Sequence, residues 1–239
     1  MIVFFIPGLL CTEEVWGDLN LIRKKYQCYD ADVSHFDSIE KIADNCIKNI
    51  PNEDVVIIGI SMGGYVAIDI AVKLGNRIKK LILINTTSNS VNLETLSERE
   101  EAIKLAEKGK MKEIVNMSKG FCFFNPKDEW LFLEEKMANQ IGCEAYIKQQ
   151  KAIISRKDNS NEISKIMANS LIIAGKNDNV ISYEKSLYLF RNIPKANLII
   201  LDECGHLSTI EKSTEVYNYI TTFMGSGNEY NDLSKNAMF

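Results

Sequence analysis

The sequence predicts an α/β fold: a mostly parallel, doubly wound sheet of about six strands with an all-helical cap inserted into it. Three observations carry that expectation. Short runs of branched apolar residues recur without polar alternation, the mark of strands covered on both faces. Amphipathic stretches of helical period separate them. One long segment, residues 88–164, breaks the alternation and offers no convincing strand.

In chain order the apolar runs are Ile2–Ile6, 55–58, 81–84, 171–174 and 198–201, with a weaker sixth at 26–31. Between them, residues 38–50 place Ile39, Ile42, Ala43, Cys46, Ile47 and Ile50 on one helical stripe. Residues 62–74 do the same with Met62, Val66, Ala67, Ile70, Ala71 and Leu74, and Gly75 supplies the stop. Strand–helix–strand repetition of this kind makes a doubly wound sheet. Within the break, Ser97-Glu98-Arg99-Glu100 reads as a capping box opening a helix to Glu107, with Gly109 ending it. Further helices are expected over 110–119, 127–139 and 143–154. Residues 1–87 and 165–224 therefore form the core and 88–164 the cap. The Gly/Asn/Ser-rich stretch 225–239 is expected to be a flexible tail.

Composition narrows the function classes. The chain has 239 residues, 46% hydrophobic and 25% charged, with a net charge of −4, so nothing draws it to nucleic acid or an anionic bilayer. No apolar run reaches the ~18 residues of a membrane helix. The first ten residues are apolar but carry no Lys or Arg, which suits a buried strand better than a signal peptide. Six cysteines (Cys11, Cys28, Cys46, Cys122, Cys143 and Cys204) show no C-x-x-C spacing and are expected to be reduced thiols in a cytoplasmic protein.

The chemistry gathers at strand ends. Gly59-Ile60-Ser61-Met62-Gly63 is G-x-S-x-G between a strand and a helix, the setting that exposes a nucleophilic serine on a tight turn. The bland alternative is a glycine-rich turn without chemistry. A serine nucleophile needs a base, and the chain has two histidines. His35 sits in an early loop and reads as solvated. His206 follows the last strand, at the edge where open α/β sheets hold their ligands. Between Ser61 and His206 lies Asp178, in Gly175-Lys176-Asn177-Asp178, the favoured acid to orient the imidazole. Asp202 is its rival. Backbone N–H groups of Met62 and Leu9 are the expected donors to an oxyanion, with Gly8 allowing close approach.

The order Ser61, Asp178, His206 and these motifs resemble the α/β-hydrolase superfamily over residues 2–224, in particular small carboxylesterase and enol-lactonase members with a helical cap. Three departures stand out. Pro7 occupies the place of a usual histidine, Ile181-Ser182 replaces a frequent proline, and the usual first hairpin is missing. The resemblance implies an acyl-enzyme on Ser61 and hydrolysis of a small ester, thioester or lactone. Such chemistry needs no cofactor and no metal. The implied partner is a small-molecule acyl substrate, with oligomeric state left open. Leu9, Leu10 and Met62 would floor the acyl pocket. Phe121, Phe123, Phe124 and Trp130 are candidates for its roof, although each cap aromatic, Phe132 and Tyr146 included, could equally be core packing. The alternative from another class is a non-catalytic, hydrolase-like binding protein.

Overall fold

A computed structural model describes residues 1–225; of the tail expected over 225–239, Gly225 ends the last helix and 226–239 lie outside the described residues. In chain order the main elements are β1 (Ile2–Ile6), β2 (Gln27–Asp30), α1 (Ile39–Asn49), β3 (Val55–Ile60), α2 (Met62–Leu74) and β4 (Ile78–Ile84). They continue with α3 (Leu93–Glu107), α4 (Met111–Ser118), α5 (Asp128–Ile154), β5 (Asn169–Gly175) and α6 (Tyr183–Asn192). The last are β6 (Ala196–Leu201), α7 (Ser208–Glu211) and α8 (Ser213–Gly225). Six strands form one sheet in the order β2-β1-β3-β4-β5-β6, every neighbouring pair parallel. The expected fold class is what the chain adopts.

The unbroken apolar runs follow from two cores. Successive strand side chains point to opposite faces. Ile2, Phe4, Ile6 and Ile57 enter a core shared with α1, α2 and Leu189 of α6. Val3, Phe5, Ile58 and Ile60 enter the other, shared with Trp16, Leu19, Val216 and Phe223. The second face is covered by α8 and by the 3₁₀ segment Glu13–Lys24, which periodicity did not single out. Each fully buried isoleucine here contributes about 1.5–3 kcal/mol, so a polar residue at Ile57 or Ile58 would open one face.

Helices α3 to α5 fall between β4 and β5 and carry a small core of their own, including Met111, Ile114, Val115, Ala138 and Tyr146. The expected capping box is corrected. Helix α3 begins at Leu93, one turn before Ser97, because Asn92 Oδ1 accepts from the Thr95 amide at 2.8 Å and caps the helix earlier. The two helices expected over 127–139 and 143–154 are the halves of α5, interrupted at Gly142 with φ 70° and ψ 173°. Among the described residues, no helix is long and apolar enough to cross a membrane.

Candidate active site

Strand β3 delivers Ser61 to a sharp turn with φ 53° and ψ −118°. A non-glycine residue held there costs about 1–3 kcal/mol and persists only when its surroundings over-determine it. They do. Ser61 N donates to Ile84 O at 2.9 Å, and Ser61 O accepts from Gly64 N at 2.9 Å and Thr86 Oγ1 at 2.8 Å. The flanking glycines are steric necessities. A Cβ on Gly63 would lie 1.9 Å from Ile6 O, and one on Gly59 would lie 2.5 Å from Gly63 O. Both obstacles are backbone and cannot swing aside.

His206 Nε2 lies 2.8 Å from Ser61 Oγ, and His206 Nδ1 lies 2.7 Å from Asp178 Oδ2. His206 and Asp178 are both buried. Asp178 Oδ1 accepts the amides of Val180 and Ile181 at 2.8 and 2.9 Å. Burial pushes the Asp178 carboxyl up, but the His206 charge and the hydrogen bonds from His206, Ile181 and Asn85 outweigh it and hold the group below its ordinary value. The rival Asp202 is a surface residue paired with Lys176 at 2.7 Å. His35 is exposed and pairs with Asp32.

Two supporting residues escaped the sequence reading. Asn85, directly after β4 and 1% exposed, donates to Asp178 Oδ2 at 2.9 Å and accepts from Ser208 Oγ at 2.6 Å. Its one local signal is a polar residue at the C-terminal end of a buried strand. Glu211 accepts from Gly205 N at 2.7 Å and from the amides of Phe124 and Asn125. Cys122 O in turn accepts from His206 N and Leu207 N at 2.8 and 3.0 Å. The loop after α4 thus grips the loop that carries His206.

Met62 is the first residue of α2, so its N–H lies outside the helix's own ladder, and the positive helix end faces Ser61. The loop bearing Leu9 lies against Ser61, since a Cβ on Gly8 would sit 3.2 Å from Ser61 Cβ. A cavity of about 270 Å³ opens beside Ser61 and His206. Leu9 and Leu10 line it from the core, and Ile114, Val115, Phe121 and Tyr146 from the helical insertion.

Several expected pocket residues are corrected. Trp130 does not line this cavity. Its ring packs on Phe123 at 5.5 Å between centroids, and Lys127 Nζ lies 4.5 Å from its face. Phe124 also points away, into a surface hollow beside Glu211. Trp130, at the start of α5, packs against the outer core, whereas Phe124 lies exposed in the loop before it. Phe123 is buried there, and Phe132 is exposed. The Met62 side chain is buried in the core under α1 and α2, leaving only its backbone toward the site. All six cysteines are free, and burial pushes the Cys11 thiol up to about 12. Among the described residues, no group of three or more His, Cys, Asp or Glu could hold a metal ion.

A family model described as alpha/beta hydrolase fold matches residues 19–213. The 2-hydroxy-6-oxononadienedioate/2-hydroxy-6-oxononatrienedioate hydrolase of Cupriavidus pinatubonensis is 25% identical, over 78% of this chain and 67% of its own. The 2-hydroxy-6-oxo-6-phenylhexa-2,4-dienoate hydrolase of Burkholderia cepacia is 26% identical, over 72% of this chain and 63% of its own. Among solved structures, a thermophilic esterase from Thermogutta terrifontis superposes with a TM-score of 0.85 at 19% identity, covering 94% of this chain and 89% of that one. The enol-lactonase of Burkholderia xenovorans gives 0.82 at 18%, covering 94% and 91%. With the family model spanning most of its length, the chain belongs to the alpha/beta hydrolase fold family.

Proposed function

We propose that the protein is a serine hydrolase cleaving a small carboxylic ester, thioester or lactone, with residues 88–164 as the cap over its acyl site. The carrying observation is the array Ser61 Oγ, His206, Asp178, joined at 2.8 and 2.7 Å beside a largely apolar cavity. Ser61 Oγ attacks the acyl carbon while His206 Nε2 takes its proton, and Asp178 steadies the imidazolium. The amides of Leu9 and Met62 receive the oxyanion. Collapse expels the leaving group, which takes the proton back from His206. Water, deprotonated by the same nitrogen, then attacks the acyl carbon; collapse breaks the bond to Ser61 Oγ, which takes that proton back from His206 as the acid leaves. Six free thiols suit a reducing, cytoplasmic setting.

A second reading draws on Arg99, the one Lys or Arg among the residues lining the cavity. Arg99 NH1 donates to Gln150 Oε1 at 2.7 Å, while its buried Nε has no hydrogen-bond partner among the described residues. A carboxylate on the substrate would satisfy that donor. The relatives named as hydrolases of oxo-dienoates and their dioates make carbon–carbon cleavage of such an acid the competing reaction.

One panel decides: short p-nitrophenyl esters, lactones and a 2-hydroxy-6-oxo-dienoate, each with the Ser61→Ala protein as control. Turnover should fall by about 10⁴-fold or more in the control, and a serine-directed phosphonate should label Ser61. No turnover on any member, with no labelling, would leave a hydrolase-like binding protein.

A further inference from the structure

Leu10 occupies the left-handed region at φ 57° without being a glycine, a conformation its side chain disfavours. The peptide unit joining Leu9 to Leu10 is held at both ends. Leu9 O accepts from Cys11 Sγ at 3.3 Å, and Leu10 N donates to Gln149 Oε1 at 3.0 Å. Pro7 brings no polar side chain to this loop. The second contact comes from far along the chain, in the later half of α5, and Gln149 is fully buried.

The amide is retained there at a cost. Gln149 Nε2 is buried and has no partner among the described residues, so an apolar residue of similar length would remove one orphaned donor and strand the Leu10 N–H in exchange. The Gln149 orientation is fixed, because only its oxygen can face an N–H. Without that acceptor, the Leu9–Leu10 peptide can turn and let Leu10 relax to negative φ. Such a turn changes ψ of Leu9 and φ of Leu10, and it releases the Leu9 Cα that anchors the preceding Gly8–Leu9 unit, so that unit and its Leu9 N–H can shift with the loop.

We propose that Gln149 is a positioning residue through which the helical insertion sets the Leu9 N–H toward the substrate oxyanion. This rests on the acyl-transfer reading above. Oxyanion donors act on the transition state far more than on bound substrate. Gln149 should therefore govern kcat and leave KM nearly alone.

The test is Gln149→Met, which keeps length and removes the acceptor, beside Gln149→Glu, which keeps an acceptor oxygen. Measured are kcat and KM on p-nitrophenyl butyrate and inhibition by two ketones, one trifluoromethyl, which forms an oxyanion adduct on serine, and its unfluorinated analogue. Gln149→Met should lower kcat about 10- to 100-fold, with KM within about threefold. It should weaken the trifluoromethyl ketone by the same factor, leave the plain ketone unchanged, and spare the melting temperature. Gln149→Glu should restore most of the loss. Should the methionine protein not fold, Gln149→Asn draws the oxygen back by one methylene and carries the same expectation. An active Gln149→Met protein with unchanged kcat and ketone affinity, or with only KM raised, overturns the role of Gln149 alone. A wild-type protein with neither turnover nor Ser61 labelling overturns the hydrolase reading, and this inference with it.

Discussion

Asn85 Nδ2 lies 2.9 Å from Asp178 Oδ2, the same carboxylate oxygen that faces His206 Nδ1. The two donors approach one acceptor from the segments after β4 and β6, so the carboxylate cannot rotate toward the imidazole or away from it without losing a bond. Asn85 also carries a left-handed φ of 45°, which asparagine tolerates better than most residues. Asn85→Ala removes the donor to Asp178 and the acceptor for Ser208. It should lower kcat by about 10-fold, equivalent to ~1.4 kcal/mol of barrier. It should also cost about 1–3 kcal/mol of stability through the unpaired buried groups. Steady-state kinetics with urea denaturation checks both.

The two candidate acids separate cleanly. Asp178→Asn should drop kcat by about 10⁴-fold because the imidazole tautomer is no longer fixed. Asp202→Asn removes only a solvent-screened surface pair with Lys176, and should leave kcat within about twofold. The opposite ranking would make Asp202 the acid.

Acid should act on stability through Asp178. Its carboxyl is held below the ordinary value of 3.8, burial opposing and His206 with the hydrogen bonds prevailing. A depressed native value means that ionised Asp178 supports the fold above about pH 4. That support fades as pH falls from there through the lower native value. Asp178→Asn cannot titrate. The stability difference between the two proteins, followed by urea unfolding from about pH 6 to about pH 3, should hold steady and then shift against the wild type below about pH 4. A difference that stays flat to the end counts against the depressed value.

Chain-length selectivity should follow the cavity wall and ignore the outer aromatics. Val115 lines the cavity, so Val115→Phe should shorten the preferred acyl chain by about two carbons, each methylene being worth ~0.8 kcal/mol while space remains. Trp130→Ala should leave the preference untouched and cost about 1–3 kcal/mol of stability by stripping Phe123 of its partner. A moved optimum in the Trp130 variant would return that ring to the pocket.

The approach of Ser61, Asp178 and His206 was legible because each sits at the C-terminal end of a strand that its own local sequence announces. The parallel sheet then brings such ends together whatever lies between them. Trp130 and Phe124 were misplaced for the converse reason. For Trp130 in α5, a helix period tells which residues share a face, and only packing decides what that face meets; Phe124 lies in the loop between α4 and α5, where no period applies. Asn85, Gln149 and Glu211 left little trace, since their partners are a carboxylate or backbone amides distant in sequence. Helix α3 began early because an asparagine cap at Asn92 won over a serine one turn later.

The insertion leaves the sheet after Ile84 and rejoins it at Asn169, and the strands at its two ends are direct neighbours. Its ends are therefore pinned a strand spacing apart, whatever it contains. Closing such a loop costs entropy only as the logarithm of its length, about 0.6 kcal/mol for each doubling. Helices could thus be added, trimmed or exchanged with little consequence for pairing at the sheet's centre. The insertion can evolve almost independently of the scaffold, and on the proposed reading the one constraint is that an acceptor for the Leu10 amide survives each rebuilding.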